Sequence, residues 1–421
     1  MKRRKFSLAW ALAAALMGAA LVPASTAFAA ARDDASTSSS ESDSTSGNNN
    51  GESSRKARTV PTWASSFTDP TNGVSYPFTM VGSDPRQGGS TTVRSEIIPL
   101  KFKFVAGNQD VSVLNVPARG YVAKAIVATM NGADNVADTI ASPVFTPSNF
   151  AISADSGVQF GDAVMRAQFG KVGTGYHVKL GKPKVMETVT IRVPETKGVA
   201  VLNPLGVLVG RVDADWFKQR LERLLLSEDI KPTTLPIFLT QNVFLYQDRN
   251  FAHCCILGGH GAGSPTSSAA PSSNDEGSNA LQTFVYAAYI SPNSFPRFPA
   301  PYAGLSDIHS LSHEIAEWMD SPFGTNMVQS YRIPTAPPGT CSAILETGDP
   351  VTGVWFPLPG NPNVAAGGVW HPEDVAFLNW FARDGEASGL APADARYTYM
   401  GALTTGIGGP FAAFGQAAHA C

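Results

Sequence analysis

Charge is scarce in this chain. Asp, Glu, Lys and Arg make up 15% of its 421 residues, and 31 basic side chains stand against 34 acidic ones for a formal net charge of −3. With neither sign in excess and a pI near 6.2, the composition argues against an electrostatic nucleic-acid binder. No second long apolar run follows the one near the N-terminus, so the mature chain is expected to have no membrane span. A G-x-S-x-G elbow is missing, which leaves a serine hydrolase without its nucleophile turn. The four cysteines read as structural. Histidine is also sparse, at seven, and two of the seven fall one helical turn apart in one short segment.

What is present starts with an export signal. Lys2, Arg3, Arg4 and Lys5 precede an apolar run from Leu8 to Val22 and the small residues around Ala27-Phe28-Ala29-Ala30, the layout of a cleaved signal peptide over residues 1–30. Arg3-Arg4-Lys5-Phe6 matches a twin-arginine signal only in part, so general secretion is the expectation, with a secreted or periplasmic product. Residues 31–58 are almost wholly Ser, Thr, Asn, Gly, Asp and Glu and read as a disordered tether. About 360 residues remain to fold, and a 43% hydrophobic content is ample for one large or two moderate domains. Four cysteines in an exported chain point to disulfides. Because a bridge between neighbours is strained, Cys254 and Cys255 are expected to reach Cys341 and Cys421 in either pairing, with a reduced or metal-ligating pair as the alternative.

The segment Ser306 to Pro322 reads SDIHSLSHEIAEWMDSP. Drawn as a helix at about 100° per residue, it places His309, His313, Glu317 and Asp320 within roughly 80° of arc, the first three being successive i, i+4 neighbours. The opposite arc holds Ile308, Leu311, Ile315, Trp318 and Met319, an apolar stripe fit for a core. Four metal donors therefore share one face of an anchored helix, turned inward or toward a cleft. The plainer alternative is a solvated face with i, i+4 His and Glu pairs worth a few tenths of a kcal/mol.

Within it, His313-Glu314-x-x-Glu317 differs from H-E-x-x-H in its last residue only. Ligands at i and i+4 reach one ion from the same side, and Glu314 occupies the position of a general base beside it. Further on, Cys341 to Pro350 carries two acids, Glu346 and Asp349, in an otherwise apolar and Gly/Pro-punctuated run, where an unpartnered carboxylate would be costly to bury. Either is a candidate third ligand, with His309 and Asp320 as alternatives. Zinc fits a shell of imidazole and carboxylate; so many carboxylates also admit calcium, or a purely structural ion.

The run SHEIAEWMDSP followed by LETGDP resembles the zincin metallopeptidases, in particular those whose third ligand is a glutamate downstream of the motif helix. More narrowly it is similar to a group of bacterial secreted metalloprotease-like proteins, a likeness that takes in TTLPIFLTQNVFLY, CCILGGH and HPEDVAFLNWF and so about half of the chain. The resemblance implies a zincin-like mixed sheet ahead of the metal-binding helix.

Strands are expected at 92–104 and 185–193, from their β-branched and aromatic residues, and a helix at 160–169. An amphipathic helix at 213–226 precedes apolar strands at 235–240, 243–246, 254–257 and 283–290. Residues 259–279 read as a flexible loop by composition, with His260 at its mouth as part of a bland insertion, or of a flap contacting substrate. His371-Pro372-Glu373-Asp374 is expected to open a helix over VAFLNWFAR, with His371 as a cap neighbour or a transition-state donor. The class is α/β (α+β): a mixed N-terminal region, 59–204, followed by a metal-binding region, 205–421.

The function expected from these residues is a secreted zinc-dependent hydrolase acting on extracellular peptide or protein. The runner-up is a noncatalytic surface or binding protein on the same frame, with a structural ion or none. The first half, lying ahead of the metal region, is a candidate inhibitory pro-segment.

Overall fold

The computed structural model describes residues 59–105, 125–150, 156–227, 230–251, 253–263, 281–295, 305–333, 341–361, 368–383 and 397–398. The expected signal peptide, the Ser-rich tether, residues 264–279 of the expected loop and Cys421 lie outside the described residues.

The described chain opens on an antiparallel pair, β1 (Thr62–Thr68) with β2 (Ser75–Val81). β3 (Ser90–Phe104) is 15 residues long and is the spine of an eight-stranded sheet. β4 (Ala128–Asn131) pairs antiparallel with its last residues. After α1 (Val136–Ala141) and the short pair β5 (Ser148–Asn149) and β6 (Ser156–Val158) comes α2 (Phe160–Gln168). Then β7 (His177–Leu180), β8 (Lys184–Val185) and β9 (Val189–Val193) line up in succession along β3, all parallel to it.

β10 (Gly198–Leu202) and β11 (Leu208–Asp213) begin a second, four-stranded sheet. α3 (Ala214–Ser227) follows at once, capped where Asp213 Oδ1 accepts from Trp216 N–H at 2.8 Å, the N-cap bond that Asp favours. β12 (Thr234–Gln241) rejoins the main sheet parallel to β3, and β13 (Val243–Tyr246) and β14 (Cys254–Ile256) complete the smaller one. β15 (Gly258–Gly263) and β16 (Gln282–Tyr289) finish the main sheet, β16 parallel to β12 and β15 antiparallel to β16 at the end of the strand order. The motif helix α4 (His309–Asp320) comes next, then the pair β17 (Met327–Arg332) and β18 (Cys341–Ile344), the short pair β19 (Leu358–Pro359) and β20 (Val369–Trp370), and α5 (Leu378–Phe381). The result is a mixed α/β chain in which strand outweighs helix.

Period-two alternation gives the main sheet two apolar faces. Ile97, Leu235, Ile237, Leu239, Val285 and Ala287 join one core with residues of α2 and α4. Ile98, Phe238, Phe284 and Tyr286 point the other way, into a core closed by Phe217, Leu221 and Leu225 of α3. The motif helix is thus pressed onto the sheet through the expected stripe of Ile308, Leu311, Ile315, Trp318 and Met319, every one of which is buried. α2 packs alongside at Gly161, where an added Cβ would stand 2.7 Å from Met319 Sδ.

Four expectations need correction. Residues 258–263 form a strand and not the start of a loop, because the glycine backbone is paired along β16 from Gly258↔Ala287 to Gly263↔Gln282. The strand expected at 185–193 is two, β8 and β9, interrupted at 186–188. The helix expected after Asp374 is the single turn α5, since Ala376 N–H donates to Thr347 O and Phe377 N–H to Tyr397 O, bonds that hold the preceding residues out of the helix. Finally, Cys254 and Cys255 are bridged to each other across a cis peptide with their Cα atoms 3.0 Å apart. Cys341 is disulfide-bonded as well, to a partner outside the described residues.

Candidate metal centre

All twelve residues of α4 are buried, its polar face included. His260, Glu314, Glu317, Asp320, Glu346 and Asp349 are 0% exposed, and His309, His313 and Glu373 1%. A carboxylate can be kept in such a place only with compensating partners or a proton. Three pieces of chain supply the surroundings: β15 through Gly258 and His260, the segment 346–349, and the extended run around Glu373.

Glycine permits the first two to come close. An added Cβ at Gly258 would lie 2.5 Å from Glu314 Oε1 and 2.8 Å from Ser310 Oγ, and one at Gly348 would fall on the ring of His313. Gly348 also donates its N–H to Glu317 Oε1 at 3.0 Å. The bare backbone thus serves as a wall and a hydrogen-bond donor.

His313 is fixed from both ends. Its Nδ1 lies 2.8 Å from Glu373 Oε2, and its Nε2 3.1 Å from Glu317 Oε1. Glu373 is itself held, its Oε1 accepting from Gly353 N–H at 2.9 Å and its own N–H donating to Ser312 Oγ at 2.9 Å. A carboxylate on Nδ1 that turns Nε2 toward a ligand position is how metal-binding imidazoles are oriented. Burial alone would push His313 down and Glu373 up, but the charges of Glu317 and Glu373 carry the imidazole well above its usual range, and His313 with His309 holds Glu373 down to about 2.

The donors form two groups. One consists of His313, Glu317 and Asp349, the other of His260, Glu317 and Glu346; within each, the ligand atoms lie within 4.8 Å of one another. Of the six ligand candidates from the sequence, His313 and Glu317 are joined by Asp349, whereas Glu346, the other candidate third ligand, falls with Glu317 and His260 in the second group, and His309 and Asp320 fall outside both. His309 Nε2 is 3.1 Å from Glu373 Oε2, and Asp320 Oδ1 accepts from Gln168 Nε2 at 2.6 Å. Burial pushes Asp320 up to about 7 despite that bond, with Glu317 adding to the rise.

No family model, curated protein or solved structure matches the chain. The chemistry has to be argued from the donors. Neither oxygen of Glu346 accepts a hydrogen bond, and neither does Glu314 Oε1. Burial, followed by the neighbouring Glu317 and Asp349 carboxylates, raises Glu346 well above the carboxylate range; burial raises Glu314 likewise, against the pull of His313. Buried acceptor atoms left without donors cost about 1–3 kcal/mol each, and a cation among them removes that cost. The residues therefore fit a metal ion.

Two of these residues were not legible as site residues. His260, read as part of a bland insertion, is buried among Glu314, Glu317 and Glu346 at 3.4–3.6 Å. Glu373, read as an acid favouring a helix N-terminus, is the partner of both motif-helix histidines. His371, by contrast, points away: its Nδ1 is 2.7 Å from Asp307 Oδ2 and 2.9 Å from Ser306 Oγ, and its ring packs on Trp355. Both polar contacts fall on one nitrogen, so this trio lacks the relay geometry of a nucleophilic serine site.

Proposed function

We propose that this chain is an exported zinc-dependent hydrolase of peptide bonds, built on a zincin-like frame. The observation that carries the reading is the convergence of His313, Glu317 and Asp349 within ligand distance of each other, one residue away from a carboxylate, Glu314, with an oxygen that accepts no hydrogen bond. The frame is supported by the sheet, in which an antiparallel end strand, β15, flanks the strand β16 that leads into the motif helix. An imidazole in each donor group favours zinc over calcium, which prefers all-oxygen shells.

When bound, such an ion polarises a carbonyl and acidifies water. The chain's own residues would do the rest. Glu373 holds the His313 ring by Nδ1, and Gly348 N–H holds one oxygen of Glu317, so the ligands are set before any ion arrives. Glu314 Oε1 would take the proton of the attacking water, a role favoured by the raised proton affinity that burial gives this carboxylate. Removing Glu314 as a base with its shape kept tests this directly. Glu314→Gln should retain zinc and lose turnover of casein or a peptide library by about 10²–10⁴-fold; full activity in that variant would remove Glu314 from the mechanism.

The full burial of every donor favours a second reading, a noncatalytic extracellular protein in which the ion is structural. Stoichiometric zinc without hydrolysis by the wild-type chain is the outcome that selects it.

A further inference from the structure

Building on the metal reading, we infer that the centre takes two divalent cations, with Glu317 bridging them and a second ion held by His260, Glu317 and Glu346. The two donor groups share one residue, Glu317, and its two oxygens face different histidines. Oε1 lies 3.1 Å from His313 Nε2, while Oε2 lies 3.6 Å from His260 Nδ1. A carboxylate whose oxygens are divided in this way can bridge paired ions about 3.5–4 Å apart.

The tautomer of His260 gives an independent reason. Its Nε2 is 3.2 Å from the carbonyl oxygen of Ser321, at the C-terminal cap of α4. A backbone carbonyl only accepts, so Nε2 must donate. In the neutral ring Nδ1 then carries the lone pair. That lone pair faces the carboxylate oxygens of Glu314, at 3.4 Å, and Glu317, at 3.6 Å. With both carboxylates ionised, acceptor opposes acceptor in a completely buried place, an arrangement that a cation between them resolves. Glu346 adds a third donor: a carboxylate oxygen of this residue lies within 4.8 Å of ligand atoms of His260 and Glu317, and neither of its oxygens accepts a hydrogen bond although the residue is 0% exposed. The first ion, by comparison, is provided for by His313, Glu317 and Asp349 without drawing on His260 or Glu346.

The full mature chain, stripped with chelator, reloaded with zinc and desalted, should hold about two zinc ions by elemental analysis. His260→Ala should hold about one, with the remaining ion on the His313 side. One ion per wild-type chain would overturn the two-ion centre and leave the hydrolase reading standing; none would overturn both. Two ions in His260→Ala would also overturn the assignment. Should His260→Ala fail to fold, the wild-type chain loaded with manganese(II) decides the question. Electron paramagnetic resonance should show an exchange-coupled pair at saturation, and an isolated-ion six-line spectrum at every loading overturns the proposal.

Discussion

Gly348→Ala is the sharpest probe of whether the His313 ring is held as described. Gly348 has φ −78° and ψ −34°, ordinary right-handed backbone in which alanine is at ease, and the stiffer unfolded chain alone would stabilise the variant by about 0.4–1 kcal/mol. Space is the obstacle. The added Cβ would lie 2.7 Å from His313 Cγ and closer still to Nδ1 and Cε1, so either the ring or the backbone must move. If the ring moves, it leaves Glu373 Oε2 at 2.8 Å and Glu317 Oε1 at 3.1 Å; if the backbone moves, Gly348 N–H leaves Glu317 Oε1 at 3.0 Å. Overpacking costs about 1–3 kcal/mol and the loss of a hydrogen bond to a charged group about 1.5–3 kcal/mol. After the gain from the unfolded state, a net loss of roughly 2–5 kcal/mol remains. Guanidinium unfolding in excess chelator measures it without the stabilisation that bound ions add by mass action. A variant within about 0.5 kcal/mol of wild type, the range of ordinary surface substitutions, would show that Gly348 is not a wall against this imidazole.

Two further outcomes follow from the same contacts. Glu373→Gln keeps the size of the side chain but replaces one acceptor oxygen by a donor, and should weaken zinc binding about 10–100-fold, as loss of an orienting carboxylate does; a competition titration with a chromophoric chelator reads this, and unchanged affinity would show that Glu373 does not orient His313. The metal-free chain should also lose stability as pH rises from 3.8 to about 7. Asp320 has a folded-state pKa raised from 3.8 to about 7, so the folded chain keeps a proton that the unfolded chain has lost, and the stabilisation is fully present only below pH 3.8 and gone above about 7. For Asp320 alone this amounts to something on the order of 4 kcal/mol, and the raised imidazole of His313 acts in the same direction. Denaturant midpoints in chelator that stay flat or rise across that range would refute it, and Asp320→Asn should flatten the slope.

Much of the frame was legible because its signals are local. Near-continuous apolar runs mark β12 and β16, and the chemistry of α4 follows from a repeat of four residues that any helix converts into one face. Glu346 and Asp349 could be marked as ligand candidates because two acids in an apolar run need partners. His260 could not be found in this way. Its neighbours Gly258, Gly259 and Gly261 carry no side-chain pattern, and glycine next to a Ser-rich stretch reads as loop; the strand exists because the backbone of β16 offers it a ladder, and glycine is needed at 258 because Glu314 stands against it. Glu373 was hidden for a related reason, since Pro372-Glu373-Asp374 is a sound helix start by local rules and only the tertiary bonds to Ser312, Gly353 and Thr347 make it extended.

The amphipathic pattern of α4 carries a last consequence. By periodicity the helix has a dry side and a polar side, and a polar side ordinarily means water. Here the polar side is as buried as the other, so the cost of its carboxylates falls on the donors packed around them, Gly348 N–H and Gln168 Nε2 among these, and for oxygens that no such donor reaches, on histidine, protons or a cation. Histidine is too scarce to do it alone: His260 reaches Glu314, Glu317 and Glu346, and each of those contacts is 3.4 Å or longer. Protons can fill the gap only by leaving the acids uncharged, which wastes the orientation that Glu373 and Gly348 impose on His313 and Glu317. A cation uses that orientation, and this is why burial, which at first sight argues against a site, is the strongest physical reason to expect metal in this one.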